Sequence, residues 1–293
     1  MELPVPQADA TAAAIKTASI TTGDNCNLTY SQQGPENGRP LLFVHGWRQT
    51  AAEWKKQVSH FAEAGFRVTT YDMRGHGDSE KPTFGYRISR LAADLNDLLE
   101  TLQLKDLSIV AHSMGCCVLW ASWDQYPDSH KLVKRLVLVD EPATLVSDPN
   151  WPEGKDKERA AIFTPDAVFN TAHNMADVML PLIRSMFSSS ITEEEFKWVM
   201  EQNRKISDKD AAALLIDHAF NDWSDVLPRI NVPTLVISGE TSILPAAGVS
   251  WVASQIPGAK DYTFSTAEKG SHFMFWENHQ RFNSLVEGFL MES

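Results

Sequence analysis

The feature that most constrains this chain is a regular alternation of short apolar runs and longer amphipathic stretches between residues 41 and 139. Apolar, β-branched runs typical of buried strands begin at Leu41, Phe66, Leu107 and Leu136. Helical patterns lie between them and are predicted over residues 50–64, 86–102 and 114–126. This alternation predicts a mostly parallel sheet with helices on both faces, which is the α/β fold class.

Further strands extend the predicted sheet at both of its edges. Residues 16–22 and 27–32 are predicted as an antiparallel pair ahead of the alternation, joined by a Gly-Asp-Asn turn. Two more strands, over 232–238 and 260–264, are predicted after it. The prediction is therefore a sheet of eight strands, preceded by a loose arm over residues 1 to about 15.

The alternation breaks between residues 143 and 225, where helical patterns continue without a strand pattern. We predict that this segment is a helical cap, or lid, inserted over the sheet. The chain would then divide into a core of residues 1–142 and 226–293 and a cap of residues 143–225. The methionines and aromatic residues of the cap are expected mostly to pack against the sheet, and some of them to line a pocket beneath it.

Ser113 lies where the strand from Leu107 meets the helix from Met114, in the sequence A-H-S-M-G. Small residues at positions 111 and 115 leave room for a sharp strand-to-helix turn that would hold the serine hydroxyl above the sheet. The start of the helix would also favour a nearby anion. The same letters suit a serine that only caps a helix, so the motif alone leaves catalysis and capping open.

Four polar or aromatic residues each follow a predicted parallel strand: Trp47, Asp72, Ser113 and Asp140. The carboxyl ends of parallel strands meet at one edge of a sheet, where the active sites of such sheets lie. We therefore expect these four side chains to lie along the same rim.

Several motifs, taken in order, resemble those of the α/β-hydrolase superfamily. They are H-G-W at 45–47, D-M-R-G-H-G-D-S at 72–79, A-H-S-M-G at 111–115, V-P-T-L-V-I-S-G at 232–239 and G-S-H-F at 270–273. The resemblance covers the chain from about residue 19 to 290. It implies the α/β-hydrolase fold, and its order and spacing indicate the superfamily far more specifically than they indicate a substrate.

The resemblance implies roles for individual residues. Ser113 would be the nucleophile, and His272 would take its proton and later return it to the leaving group, since a serine hydroxyl needs such a base near neutral pH. The backbone amides of Met114 and Trp47 would form the oxyanion hole. His45 and His76 are expected to be structural, whereas His112, beside the nucleophile, either contacts substrate or packs beside the cap.

The acid that should orient His272 departs from the usual pattern of the superfamily. In most members an aspartate follows the strand that corresponds to 235–238, but here the chain continues Gly-Glu-Thr-Ser. Some members supply the acid from the end of the preceding strand, and Asp140 stands at that position. We favour Asp140 as the acid, with Glu141, Glu240 or no acid as alternatives.

Two enzymatic functions follow from the resemblance. The first is a serine hydrolase, an esterase or lactonase type of enzyme that cleaves a small, largely apolar ester, lactone or amide, similar to non-haem haloperoxidases with side perhydrolase activity. The second is a cofactor-independent dioxygenase, in which His272 and its acid deprotonate a heteroaromatic alcohol and Ser113 only positions it. A binding protein on the same fold is the least favoured reading, because the Ser–His pair is intact.

Composition narrows the partners. The formal charge of −12 without a basic run argues against nucleic acid and anionic membranes, which leaves a small-molecule substrate. Three cysteines, two of them adjacent, form neither a disulfide framework nor a zinc pattern, so a reducing, cytoplasmic setting is expected. Without a metal-ligand cluster or a nucleotide fingerprint we expect no metal and no cofactor. The sequence does not indicate an oligomeric state.

Overall fold

A computed structural model describes residues 15–148, 150–151, 159 and 161–292. The loose arm predicted at the start of the chain lies almost wholly outside these residues. Within the described ranges, no helix is long and apolar enough to cross a membrane.

Among the described residues, eight strands form one sheet in the order β1-β2-β4-β3-β5-β6-β7-β8. The first two pairings, β1 with β2 and β2 with β4, are antiparallel, and the others are parallel. The strands are β1 Lys16–Thr21, β2 Asn27–Gln33, β3 Arg39–Val44, β4 Phe66–Tyr71, β5 Leu107–His112, β6 Val133–Val139, β7 Thr234–Gly239 and β8 Lys260–Phe264. The predicted eight-stranded, mostly parallel sheet is confirmed.

Helices cover the sheet and continue through the segment between β6 and β7. Their bounds are α1 Lys55–Glu63, α2 Ile88–Leu102, α3 Met114–Gln125, α4 Pro165–His173, α5 Met175–Ser185, α6 Glu193–Asn203, α7 Asp208–Ala219, α8 Ala246–Gln255, α9 Met274–Glu277 and α10 His279–Leu290. The predicted helix at 50–64 begins as a 3₁₀ turn, Ala51–Trp54, before α1. The sequence pattern also starts β6 too late, because its first residues include the exposed Lys134 and lack a continuous apolar run.

The centre of the sheet is the core of the molecule. All residues of β5 and β7 are buried, whereas β1 is an edge strand with mostly exposed residues. Parallel strands covered on both faces need such continuous apolar runs, which explains why the central strands were readable from the sequence. Aromatic rings pack behind β3: the centroid of Trp54 lies 4.9 Å from Phe43 and 4.3 Å from Phe275.

The segment 143–225 is helical in its described part, with α4 to α7 and only two isolated bridges, Thr144 to Asp222 and Val146 to Phe163. It is joined to the rim of the sheet by polar contacts. Trp47 Nε1–H donates to the carbonyl of Ala211 at 2.9 Å, and Arg48 pairs with Asp208 at 2.8 Å. Its assignment as a separate cap domain stays a prediction.

Candidate active site

Ser113 occupies the sharp turn between β5 and α3. Its backbone has φ 53° and ψ −133°, a conformation that residues with a Cβ adopt at a cost of about 1–3 kcal/mol. The turn also brings α3 against the end of β3, because a Cβ on Gly115 would lie 2.7 Å from the carbonyl oxygen of His45. The small residue at position 115 is therefore required by close approach of two backbones, as the sequence pattern predicted.

The loop of His45, Gly46 and Trp47 lies directly against this turn. A Cβ on Gly46 would come within 3.0 Å of the Ser113 Cβ. The His45 ring holds the loop: its Nδ1–H donates to the carbonyl of Gly46 at 2.9 Å, and its Nε2 accepts from the amide of Met73 at 3.0 Å. His45 thus has the arrangement of a residue that supports the loop.

Met114 follows Ser113 directly in the chain, and Trp47 follows Gly46, the residue whose added Cβ would lie 3.0 Å from the Ser113 Cβ. Neither the Met114 amide nor the Trp47 amide donates a hydrogen bond to an acceptor among the described residues. Met114 begins α3, so its N–H is one of the helix-terminal donors that have no partner within the helix. Two unpaired donors beside a serine hydroxyl are the arrangement that stabilises an oxyanion.

His272 follows β8 in the chain and reaches back to the end of β6. Its Nδ1 lies 2.6 Å from Oδ2 of Asp140, which is fully buried. With Nδ1–H donated to this carboxylate, the other ring nitrogen, Nε2, is left free to accept a proton. Among the described residues, the bond from Nδ1 to Asp140 is the one hydrogen bond that the His272 ring makes.

Asp140 is held in place from three sides. Besides His272, it accepts hydrogen bonds from Ser242 Oγ at 2.5 Å and from the amide of Gly239 at 3.1 Å. Its backbone has a φ of 54° in the left-handed region. Burial raises the pKa of the Asp140 carboxyl above its ordinary value, while the hydrogen bonds from His272, Ser242 and Gly239 oppose that rise.

The two alternative acids lie away from His272. Glu240 is exposed and accepts from the amide and the hydroxyl of Thr266, at 2.6 and 2.8 Å. Glu141 is buried and pairs instead with His218 Nε2 at 2.8 Å. Of the three carboxylates considered from the sequence, the structure brings only Asp140 to His272.

His112 does not have the position expected of a substrate contact. It is fully buried and is not among the residues that line the cavity described below. Its Nε2–H donates to the carbonyl of His272 at 2.9 Å, and its Nδ1 lies 2.9 Å from Gln49 Oε1. Burial holds the pKa of His112 well below its ordinary value. His112 therefore packs behind His272 and supports its loop, and a contact with substrate stays a prediction.

Asp72 was also expected on the rim, and it has a local role there. Its two carboxylate oxygens accept from the amides of Ala51 and Asp78, both at 2.8 Å. It therefore ties the loop after β4 to the turn that precedes α1. It does not line the cavity.

A small cavity of about 60 Å³ lies between the rim of the sheet and the helical segment 143–225. Ser113, His272 and Trp47 line it from the sheet side. Most of the remaining lining is apolar, and the polar exceptions are few. The other lining residues are Gln49, Glu141, Leu145, Ile162, Phe163, Leu182, Met186, Leu215, His218, Ile243, Leu244 and Phe273.

Sequence reasoning missed two features of this site. Ser242, the last residue of the Gly-Glu-Thr-Ser stretch, carried no sequence signal of its own, although its hydroxyl donates to Asp140. His218 was not singled out, because a lone histidine in a helical pattern carries no signal of what it faces. Its nearness to Glu141, at a separation of 77 residues, depends on how α7 packs over the rim.

One group of described residues, Cys117, Glu141 and His218, has side-chain atoms within 4.8 Å of one another, as a metal site would need. The Cys117 thiol donates to Glu141 Oε1 at 3.5 Å, and burial raises its pKa well above the ordinary value. Metals bind the thiolate, so this environment favours the protonated thiol over a ligand.

Comparisons with known proteins show which family the chain resembles. Residues 39–279 match the family model described as "alpha/beta hydrolase fold". A putative non-heme chloroperoxidase of Synechocystis is 30% identical over 267 residues, which cover 86% of this chain and 91% of that protein. A bifunctional esterase/perhydrolase of Acinetobacter calcoaceticus is 25% identical over 236 residues, or 75% of this chain and 80% of the relative.

Solved structures show the same fold. A bromoperoxidase from Bacillus anthracis superposes with a TM-score of 0.84 at 23% identity, over 94% of this chain and 100% of the other. An enol-lactonase from Burkholderia xenovorans gives a TM-score of 0.77 at 24% identity, over 94% and 100% of the two chains.

Proposed function

Because the chain belongs to the alpha/beta hydrolase fold family, we propose that it is a serine hydrolase of small, largely apolar esters, lactones or amides. The observation that carries the proposal is the hydrogen bond of His272 to Asp140, together with a strained Ser113 on the same cavity. In this proposal Ser113 is the nucleophile, His272 the base and Asp140 the acid.

The first half of the reaction forms an acyl-enzyme. His272 Nε2 takes the proton of the Ser113 hydroxyl as its oxygen attacks the substrate carbonyl. The carbonyl oxygen becomes negative and is stabilised by the amides of Trp47 and Met114, which have no competing acceptor among the described residues. The imidazolium then returns its proton to the leaving group, so that an alcohol or amine departs from an ester or amide, whereas a lactone opens to a hydroxyacyl-enzyme.

The second half releases the acid. A water molecule gives a proton to His272 and attacks the acyl carbon, and the returned proton restores the Ser113 hydroxyl. Asp140 keeps the imidazole in the tautomer with Nδ1 protonated and stabilises its positive charge in both halves. Ser242 and Gly239 position Asp140, since each donates a hydrogen bond to it.

The substrate class follows from the cavity and from the relatives. A cavity of about 60 Å³ suits a small acyl group, and its lining is mostly apolar with a few polar groups. An esterase/perhydrolase among the relatives and an enol-lactonase among the structural neighbours support acyl transfer as the reaction class.

The proposal is tested with a serine-directed fluorophosphonate and a chromogenic short-chain ester. We expect one covalent label at Ser113 and ester hydrolysis, both abolished in Ser113→Ala, which keeps a Cβ in the same strained turn. Ser254→Ala, an exposed serine that bonds only a neighbouring carbonyl and Gln255, is the matched control and should label and hydrolyse as the parent does. An unlabelled parent protein without ester hydrolysis would exclude the serine hydrolase.

A cofactor-independent dioxygenase is the second candidate, and one observation favours it: the acid that bonds His272 follows β6 and not β7. In that reaction His272 would deprotonate a heteroaromatic alcohol, whose anion would react with oxygen. Oxygen consumption with a hydroxyquinolone, retained in Ser113→Ala and lost in His272→Ala, would support it over the hydrolase.

A further inference from the structure

The cavity contains a second carboxylate–histidine pair beside the one assigned to catalysis. Glu141 Oε1 accepts from His218 Nε2–H at 2.8 Å, and both residues line the same cavity as Ser113 and His272. The side chains of this pair are 1% and 5% exposed. Nothing in the mechanism above uses it.

One polar atom of each residue in this pair lacks a hydrogen-bond partner among the described residues. Oε1 of Glu141 receives both the His218 N–H and the Cys117 thiol, whereas Oε2 has no hydrogen-bond partner among the described residues. The Nδ1 of His218 is likewise buried without a partner among them. Buried polar atoms are normally hydrogen-bonded, so two unpartnered atoms on residues that line one cavity point to a group that binds there.

The open atoms define which group fits. In the His218 tautomer that donates Nε2–H to Glu141, Nδ1 is an acceptor, and Oε2 of Glu141 is an acceptor as well. A hydroxyl or an amide N–H supplies the missing donor. Among the described lining residues there is no lysine or arginine, so a carboxylate or phosphate would meet Glu141 without a compensating cation.

An ion pair that only stabilises the fold can lie at the surface and does not need to be buried beside a cavity. His60 and Glu287 show the difference: their side chains are 2.7 Å apart but 36% and 34% exposed, so solvent reaches their remaining polar atoms. Glu141 and His218 are shielded from bulk water and bordered by the apolar lining of the cavity. In that environment an unpaired acceptor is costly, so a hydrogen-bond donor that enters the cavity would gain free energy by pairing with it.

We propose that Glu141 and His218 form a polar subsite that binds a hydroxyl or amide N–H of the substrate while its carbonyl reacts at Ser113. The inference deepens the proposed function and rests on it, because it assigns the substrate class: small, uncharged esters or lactones with a hydrogen-bond donor on the acyl part. Glu141 and His218 are therefore specificity-determining residues of the same cavity.

The test measures binding in the absence of turnover. Ser113→Ala protein is titrated with ethyl 3-hydroxybutyrate and with ethyl butyrate, which differ only in one hydroxyl, and the dissociation constants are read by NMR. We expect the hydroxylated ester to bind about tenfold more tightly, the effect of one net hydrogen bond. Equal affinities, or a preference for ethyl butyrate, would overturn the subsite.

Two further measurements assign any preference to this pair. Replacing both partners, Glu141→Leu with His218→Leu, avoids leaving one of them unpaired and should abolish the preference. The matched control replaces the exposed pair, His60→Leu with Glu287→Leu, and should keep it. A preference that survives the loss of Glu141 and His218 would exclude their role.

A third measurement leaves Glu141 and His218 unchanged, so it does not depend on whether their variants fold. In ¹⁵N-histidine spectra of the Ser113→Ala protein, the hydroxylated ester should shift the His218 Nδ1 resonance and ethyl butyrate should not. A His218 resonance that responds to neither ester would exclude the subsite. The two proposals fail separately: labelling of Ser113 without a preference removes only the subsite, and a preference without labelling removes only the serine hydrolase.

Discussion

Asp140 and Glu141 are consecutive residues whose carboxylates bind two different histidines of one cavity. Asp140 lies 2.6 Å from His272, and Glu141 lies 2.8 Å from His218. The two side chains diverge, since Asp140 meets the loops after β7 and β8 and Glu141 meets α3 and α7. One strand end therefore supplies both the acid of the proposed triad and the anchor of the proposed subsite.

The acid assignment predicts a large loss of activity in Asp140→Asn. Asparagine keeps the shape and tolerates the left-handed backbone at this position, but it cannot hold His272 in the correct tautomer. Loss of a triad acid lowers kcat by about 10⁴ elsewhere, and we expect a similar loss here. Steady-state kinetics check this, with Glu240→Gln as the control that should retain parent activity. An Asp140→Asn enzyme of near-parental kcat would remove Asp140 as the acid.

The loop of His45, Gly46 and Trp47 is proposed to supply one oxyanion donor, so we expect Gly46→Ala to lower kcat. A Cβ there would lie 2.6 Å from Gln49 Oε1 and 3.0 Å from the Ser113 Cβ, so either the Gln49 side chain, which accepts from the Gly46 amide, or the loop that carries the Trp47 amide must shift. Loss of one oxyanion donor costs about 10²–10³ in kcat, and we expect a loss in that range. Gly288→Ala is the matched control, since nothing lies within 4 Å of its added Cβ in α10. That control should keep activity and stabilise the fold by about 0.5–1 kcal/mol, as measured by denaturant unfolding. Parental kcat in Gly46→Ala would contradict the role of this loop.

Ser242 predicts a change in the pH dependence of activity. Its hydrogen bond lowers the pKa of Asp140 against the effect of burial, so Ser242→Ala should raise that pKa further. Protonation of Asp140 removes the carboxylate charge that holds the tautomer of His272, so it inactivates the pair. The acid limb of kcat/KM should therefore move to higher pH. Ser254→Ala should leave the limb in place, and an unmoved limb in Ser242→Ala would show that this hydroxyl does not tune the acid.

The carboxyl group of Asp24 is expected to make the free energy of unfolding depend on pH in the acid range. Burial raises the pKa of this carboxyl, but hydrogen bonds from Arg74 and Thr22 outweigh it and lower the pKa to about 2. A lowered folded-state pKa stabilises the fold above the unfolded value of 3.8, and this contribution is lost as pH falls through about 2. We expect Asp24→Asn to reduce the free energy of unfolding by about 1 kcal/mol at pH 6, after allowance for solvent screening. The reduction should shrink below pH 4.

Urea unfolding at pH 6, 4 and 3 measures this effect. Asp128→Asn is the control, because Asp128 pairs with Lys131 at 2.7 Å but is highly exposed, and its removal should not change stability measurably. A difference between Asp24→Asn and the parent that is the same at all three pH values would contradict the linkage.

Much of the fold could be predicted because the information is local. Buried parallel strands require continuous apolar runs, and helices between them require a periodic apolar face, so both are visible in short windows of sequence. The turn at Ser113 was readable for the same reason, since the close approach of two backbones leaves room only for a small residue at position 115. The late start predicted for β6 shows the limit, because Lys134 at the exposed start of the strand interrupts the pattern.

By itself the sequence determined the fold class, the strand–turn–helix around Ser113 and a short set of candidate acids. Only the tertiary structure decided which carboxylate meets which histidine. Asp140 and Glu141 are adjacent and chemically alike, and their partners lie 132 and 77 residues away in the chain. Side-chain direction at the end of β6, the packing of α7 over the rim and the hydroxyl of Ser242 make that choice. These are contacts between distant segments, which no local pattern encodes.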